Sequence, residues 1–299
     1  MHAGNTGDVR VLIKEGNGKS GVLYLVATPI GNLEDMTFRA VRILNEVDLI
    51  AAEDTRTSGV LLSHYDIHTP VTAYHEHNKL EKIPVLLAKM LEGQSIAVIT
   101  DAGTPGISDP GEELVAACAN EGIDVFGIPG AVAAVTALVS SGISSRRFAF
   151  EAFLPKKKKL RQQVLSELKR ETRTILIYEA PHHLKDTIKE LAEVLGEERR
   201  VAFCRELTKK FEEKRTLTLG EALTYFTANE PRGEYVLVIE GRSRDSIADE
   251  EKNVWEDVAI TDHYEQYIKE GFDRKSAMQK VAQDRGMSKN EVYAVLKKA

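Results

Sequence analysis

Three loops rich in glycine and proline carry the strongest chemical signal. They are Thr28-Pro29-Ile30-Gly31-Asn32-Leu33, the run from Asp101 to Gly111 (DAGTPGISDPG), and Pro129-Gly130-Ala131. Glycine lets a main chain approach a ligand closely, while proline holds a turn rigid. Each loop follows a short apolar run, and open α/β sheets bind ligands at the carboxyl ends of their strands. The combination predicts a preorganised main-chain cradle. No G-x-G-x-x-G opens a helix and no GxxxxGK[ST] occurs, so a dinucleotide fingerprint or a P-loop is not supported. HExxH and CxxC are also missing, so no metal site is expected.

A second signal is charge. Between Arg146 and Arg173 ten basic residues stand against three acidic ones, a local charge of +7 in a chain whose formal net charge is -6. That segment could face phosphate, whereas the overall balance argues against a uniformly basic coat.

The elements that must position these groups follow from the apolar pattern. The chain has 299 residues and 42% hydrophobic content, enough for two modest cores and a small appendage. Val22–Ala27, Val47–Ala52, Pro70–Tyr74, Ser95–Thr100 and Asp124–Ile128 read as strands. Amphipathic helices fall between them, and an Ala-rich helix follows over Ala131–Ser140. Alternating strands and helices imply a parallel sheet covered on both faces. Beyond a break at 142–147 some strands follow one another directly, predicting a mixed α/β unit. We therefore divide the chain into a flexible leader (1–20), an α/β domain (21–143), a second α/β domain (144–241), a charged linker (242–253) and a helical tail (254–299). In the tail Ser288-x-x-Glu291 is a capping box and Gly286 a turn, which fits a helix-turn-helix or a plain packing module.

Cys118 and Cys204 lie in apolar segments and read as buried, reduced thiols. No run approaches the roughly 18 apolar residues of a membrane span, and no export signal is visible, so the expected location is the cytoplasm.

The runs LYLVATPIGNLEDMTFRA, DAGTPGISDPG and IPGAVAAVTAL, with Phe153-Leu154-Pro155, Tyr178-Glu179-Ala180-Pro181-His182 and Pro231-Arg232-Gly233-Glu234-Tyr235, resemble the ribosomal RNA small subunit methyltransferase I family. That family lies within the tetrapyrrole (corrin/porphyrin) methylase superfamily. The resemblance covers nearly all of residues 22–299. It implies two α/β domains of the class III methyltransferase type with S-adenosylmethionine in the interdomain cleft, usually in a homodimer. It also implies 2′-O-methylation of a cytidine ribose in the decoding region of 16S rRNA, within the assembled small ribosomal subunit. Carried onto this chain, the cofactor residues would be Pro29, Ile30, Gly31, Asp101, Ala102, Gly103, Thr104, Pro105, Gly106, Gly130, Ala131, Val132 and Thr136. The second domain would add Tyr178, Glu179, Ala180, Gly233, Glu234 and Tyr235. Where tetrapyrrole enzymes of the superfamily commonly carry Gly-Asp-Pro, this chain has Gly103-Thr104-Pro105, which weakens a porphyrinoid reading.

Methyl transfer to a ribose hydroxyl needs a group to take the proton. Glu53, Asp54, His75 and His77 are the candidate bases, with Asp101 and Glu206 still open. Arg56, Lys156, Lys157, Lys158, Lys159 and Arg161 are the candidate phosphate partners. Two rival readings are a precorrin or uroporphyrinogen methyltransferase, and a non-catalytic nucleic-acid-binding regulator that uses the tail.

Overall fold

The computed structural model describes residues 20–243, 255 and 258–298. The first unit is a five-stranded parallel sheet of β1 (Leu23–Val26), β2 (Leu49–Ala52), β3 (Val71–Ala73), β4 (Ile96–Ile99) and β5 (Val125–Ile128), in the order β3-β2-β4-β1-β5. Its crossovers are α1 (Phe38–Glu46), α2 (Thr55–His64), α3 (Lys79–Leu91) and α4 (Glu112–Asn120). Strand β4 shows why the apolar runs are unbroken. Ala97 and Ile99 pack with Ile43, Leu44 and Leu62 on one face, while Ile96 and Val98 pack with Leu86, Met90 and Leu114 on the other. A strand buried on both faces has no place for a polar residue.

Helix α5 (Ala133–Ser140) does something different from its predecessors. Ala134, Ala137 and Leu138 leave the first sheet and pack on Leu176, Ala202, Cys204, Val236 and Val238 of the second. The sequence suggests a helix from Ala131, but Ala131 and Val132 continue the loop and the helix begins two residues later.

The second sheet contains β6 (Phe148–Phe153), β7 (Thr174–Glu179), β8 (Arg200–Arg205), β9 (Glu213–Thr218) and β10 (Tyr235–Ile239), ordered β6-β7-β10-β8-β9. Only β6 and β7 are parallel, so the mixed sheet anticipated from adjacent strands is observed. Its far face is covered by α6 (Lys158–Leu168), α7 (Leu184–Leu195) and α8 (Leu219–Ala228) through Leu165, Ile188, Leu191 and Phe226. A capping box between Thr218 and Glu221 starts α8.

Three further helices, α9 (Ile260–Lys269), α10 (Arg274–Arg285) and α11 (Lys289–Lys298), close around Val281, Ala282 and Val292. The Ser288–Glu291 capping box forms with both hydrogen bonds, and Gly286 ends α10 in the left-handed conformation. The helix anticipated from Val254 is observed from Ile260. The leader (1–19) and most of the linker (244–253) lie outside the described residues. No helix among the described residues is long and apolar enough to cross a membrane.

Candidate active site

The three glycine- and proline-rich loops leave the adjacent strands β4, β1 and β5 and are fastened to one another. Thr28 and Gly103 exchange main-chain hydrogen bonds of 2.8 and 3.1 Å. The buried Thr28 hydroxyl also donates to Thr100 O at 3.1 Å. Thr104 Oγ1 donates to Ala131 O at 3.2 Å, joining the second loop to the third. Gly130 closes the ring, since a Cβ there would stand 2.7 Å from Ala27 Cβ, closer than two carbon atoms tolerate. Gly103 adopts φ +89°, open to glycine at little cost, and a Cβ there would meet only Ile30 at 3.5 Å and Ala131 O at 3.8 Å.

These loops form one wall of a cleft of about 430 Å³. Ile30, Asp101, Ala102, Gly103, Thr104 and Val132 line it from the first unit; Tyr178, Glu179, Ala180, Glu234 and Tyr235 line it from the second. Pro29, Gly31, Pro105, Gly106, Gly130, Ala131, Thr136 and Gly233 do not face it. Of these, Gly130 and Ala131 brace the loops, and Gly31 lies against the Lys209 side chain across the cleft.

The second wall is built from side chains. Tyr178 accepts a hydrogen bond from Ala134 N at 3.2 Å and packs edge-on against Phe150 and Phe153, so it ties β7 to the start of α5. The buried Glu179 carboxylate accepts from Ala180 N at 2.9 Å and from the Thr187 hydroxyl. Arg161 donates to that same Thr187 at 2.7 Å and pairs with Glu190 at 2.6 Å. Its guanidinium thus braces the wall through Thr187 and Glu190. Lys209 bridges Glu206 (3.1 Å) and Glu234 (3.3 Å) at the cleft. Glu206 and Thr208 hold positive φ of 50° and 65°, a strained path at which this turn enters the site.

Three carboxylates, Glu53, Asp101 and Asp109, line the first wall. Glu53 Oε2 accepts from Asp101 N at 3.3 Å and Asp101 Oδ1 accepts from Asp54 N at 3.2 Å, a reciprocal clasp between the loops after β2 and β4. Burial raises Glu53, and the nearby Asp101 charge adds to it. Burial followed by the Asp54 charge raises Asp101. Asp109 is pushed to about 7, by burial first and then by Glu53 and Asp101. Its neighbour Ser108 sits at φ 68°.

The candidate bases are therefore not equivalent. Asp54 caps α2 and receives the Arg56 guanidinium at 2.8 Å, and that hydrogen bonding lowers it to about 2, too weak a base for the role. Arg56, though exposed, is held by the same pair. Neither His75 nor the exposed His77 lines the cleft; their rings meet edge-on at 6.1 Å. The sequence pattern does not single out Asp109, although it lies within the second loop; its burial beside two carboxylates only emerges from the fold. Phe153, of the motif Phe153-Leu154-Pro155, lines the cleft as expected, and Ile107, Leu207 and Lys209 line it unforeseen. Cys204 lines it with a thiol raised by burial to about 11. Lys156, Lys157, Lys158 and Lys159 are exposed where α6 begins, next to Phe153. Among the described residues no group of three or more His, Cys, Asp or Glu is placed to hold a metal ion.

Two stacked α/β units with a main-chain cradle facing a side-chain wall define a class III, S-adenosylmethionine-dependent methyltransferase. The sequence profile of the Tetrapyrrole (Corrin/Porphyrin) Methylases matches residues 22–223, and the chain belongs to that family. It is 49% identical over 92% of its length to Ribosomal RNA small subunit methyltransferase I of Halalkalibacterium halodurans, of which 94% is covered. It is 47% identical to the protein of that name from Bacillus subtilis, over 93% of this chain and 95% of the relative. Uroporphyrin-III C-methyl transferase from Thermus thermophilus, solved in complex with S-adenyl homocysteine, shares the fold at a TM-score of 0.54. Its identity is 20%, with 74% of this chain and 97% of that one covered.

The cleft suits the methyl donor on its own chemistry. Its volume falls in the range of small-molecule sites, roughly 300–1,000 Å³. Ile30, Val132 and Leu207 offer apolar surface to a flat heterocycle, and the carboxylates favour a cation.

Proposed function

We propose that this enzyme methylates the 2′-hydroxyl of a cytidine ribose in the decoding region of 16S rRNA, within the assembled small ribosomal subunit. The observation that carries the reading is Asp109, a half-buried carboxylate held near neutrality in the cleft. Oxygen methylation requires such a group, because a ribose hydroxyl is a weak nucleophile until its proton leaves. The shared name of the curated relatives supports the rRNA substrate. The family resemblance of the loop motifs supports the nucleotide and a homodimer, and the location expected is the cytoplasm.

S-adenosylmethionine, when bound, supplies a methyl carbon already activated by the adjoining sulfonium. Asp101, Gly103 and Thr104 with Val132 would hold it from the first domain, and Tyr178, Ala180 and Tyr235 from the second, the division falling near residue 143. Fixing the hydroxyl in line at near-attack distance contributes about 7–11 kcal/mol in well-oriented systems. Asp109 takes the departing proton, and its burial, with the charges of Glu53 and Asp101, keeps it protonatable near pH 7. The Lys156–Lys159 run binds RNA phosphate beside the cleft. Lysines at the start of α6 oppose the helix dipole, an arrangement that an arriving anion reverses.

Mass mapping of ribose methylation on 16S rRNA from cells with and without this protein tests the reading. One 2′-O-methylcytidine in the decoding region disappears and returns on complementation. An unchanged map, with methylation of uroporphyrinogen by the purified protein, overturns it.

A further inference from the structure

A second cavity, of about 270 Å³, opens on the other face of the second sheet. The alternation of β8 separates the two sites: Cys204 lines the cleft, while Phe203 and Arg205 line this cavity. Tyr235 lines both, so the cavities meet at the rim of the sheet beside the loop carrying Arg232.

The cavity is built around guanidinium groups. Arg205 stands opposite Glu213 in the β8–β9 ladder and donates Nη1 to it at 3.0 Å. Its Nε–H is shielded from water and has no acceptor. Arg215 donates to the other oxygen of Glu213 at 2.9 Å and lies over the Tyr225 ring at 4.4 Å. Arg232 is exposed with no ion pair among the described residues. The second carboxylate of the lining, Glu230, is taken by Lys185. The cavity therefore keeps net positive charge, an exposed guanidinium at Arg232 and the aromatic-backed guanidinium plane of Arg215.

We propose that this cavity is a nucleotide subsite that holds a phosphate and base of the RNA strand flanking the one in the cleft. The exposed guanidinium of Arg232, with no ion pair among the described residues, suits two phosphate oxygens. The Arg215 plane, fixed by Glu213 and Tyr225, suits an unstacked base, a common mode of single-stranded RNA recognition. Arg232 lines this cavity three residues before Tyr235, which lines both. The proposal rests on the RNA substrate read above and extends it to a site that the cofactor does not share.

The test uses the full-length protein and small ribosomal subunits from cells lacking it. Binding is measured over a range of salt for wild type, Arg232→Gln and the Arg215→Gln/Arg232→Gln double variant. S-adenosylhomocysteine affinity is measured in parallel. The double variant raises Kd roughly 10-fold and lowers the magnitude of the salt slope by about 1, the phosphate paired by Arg232. Its S-adenosylhomocysteine affinity stays unchanged. Wild-type Kd and slope in the variants overturn the subsite. A higher Kd with an unchanged slope also overturns it, because no phosphate is then paired in the cavity. If the double variant loses S-adenosylhomocysteine binding, the exposed Arg232→Gln decides alone by the same criteria. Failure of the wild type to bind subunits would instead overturn the RNA reading itself.

Discussion

The two walls of the cleft are made of different materials. The first is main chain: three loops after parallel strands, fastened by Thr28, Thr104 and the close approach of Gly130 to Ala27. The second is side chain: Tyr178, Glu206, Lys209 and Glu234 on a mixed sheet, locked by hydrogen bonds and by strained turns. A main-chain wall holds its shape whatever ligand arrives, since its donors are fixed by covalent geometry. A side-chain wall tunes charge and can be altered one residue at a time. The first is suited to a constant cofactor and the second to a substrate that differs between relatives of one fold.

Replacing Asp109 breaks this comparison hardest, because it is the one carboxyl held near neutrality on the main-chain wall. Asp109→Asn should lower kcat by about 10²–10⁴-fold, the usual worth of a general base, and leave S-adenosylhomocysteine affinity intact. The wild-type rate should climb as pH rises through about 7, where the carboxyl ionises, and the variant should lose that limb. Stability carries the same signature with opposite sign. A carboxyl raised by burial binds its proton more tightly folded than unfolded, so denaturant stability should fall as pH rises from the ordinary carboxylate range to about 7. Asp109→Asn should flatten that slope.

Gly103→Val comes next. Positive φ strains any branched side chain, at about 1–3 kcal/mol, and calorimetry should show weakened S-adenosylhomocysteine binding with little change in secondary structure. On the opposite wall, Tyr178→Phe strands the Ala134 N–H and should cost about 1 kcal/mol in denaturant unfolding. A larger loss of cofactor affinity in Tyr178→Phe than in Gly103→Val would invert the division of labour. The smallest effect is expected from replacing Lys156, Lys157, Lys158 and Lys159 with alanine together. Melting temperature and cofactor affinity should hold, and only the salt dependence of rRNA binding should weaken.

The same contrast governs what the sequence discloses. Main-chain loops advertise themselves, because glycine and proline are chosen for backbone reasons, and the loops at Pro29, Gly103 and Gly130 are legible together with the parallel sheet below them. Side-chain function is less visible. Asp54 and Glu53 are neighbours in sequence, yet one caps α2 and is held by Arg56 while the other lines the cleft, a difference set by where β2 ends. Asp109 reads as one more residue of a turn until Glu53 and Asp101 are folded beside it. Arg161 belongs to a basic run but turns inward to Thr187 and Glu190, which lie on α7. The arginine cavity has no linear signature, since Arg205, Arg215 and Arg232 come from two strands and a loop.

Isothermal titration of the intact protein with S-adenosylhomocysteine tests the central claim most directly. One molecule should bind per chain, with affinity sharply reduced by Gly103→Val and untouched by the lysine replacements. No heat of binding in the wild type, or equal binding by Gly103→Val, would contradict a donor site built on those three bends.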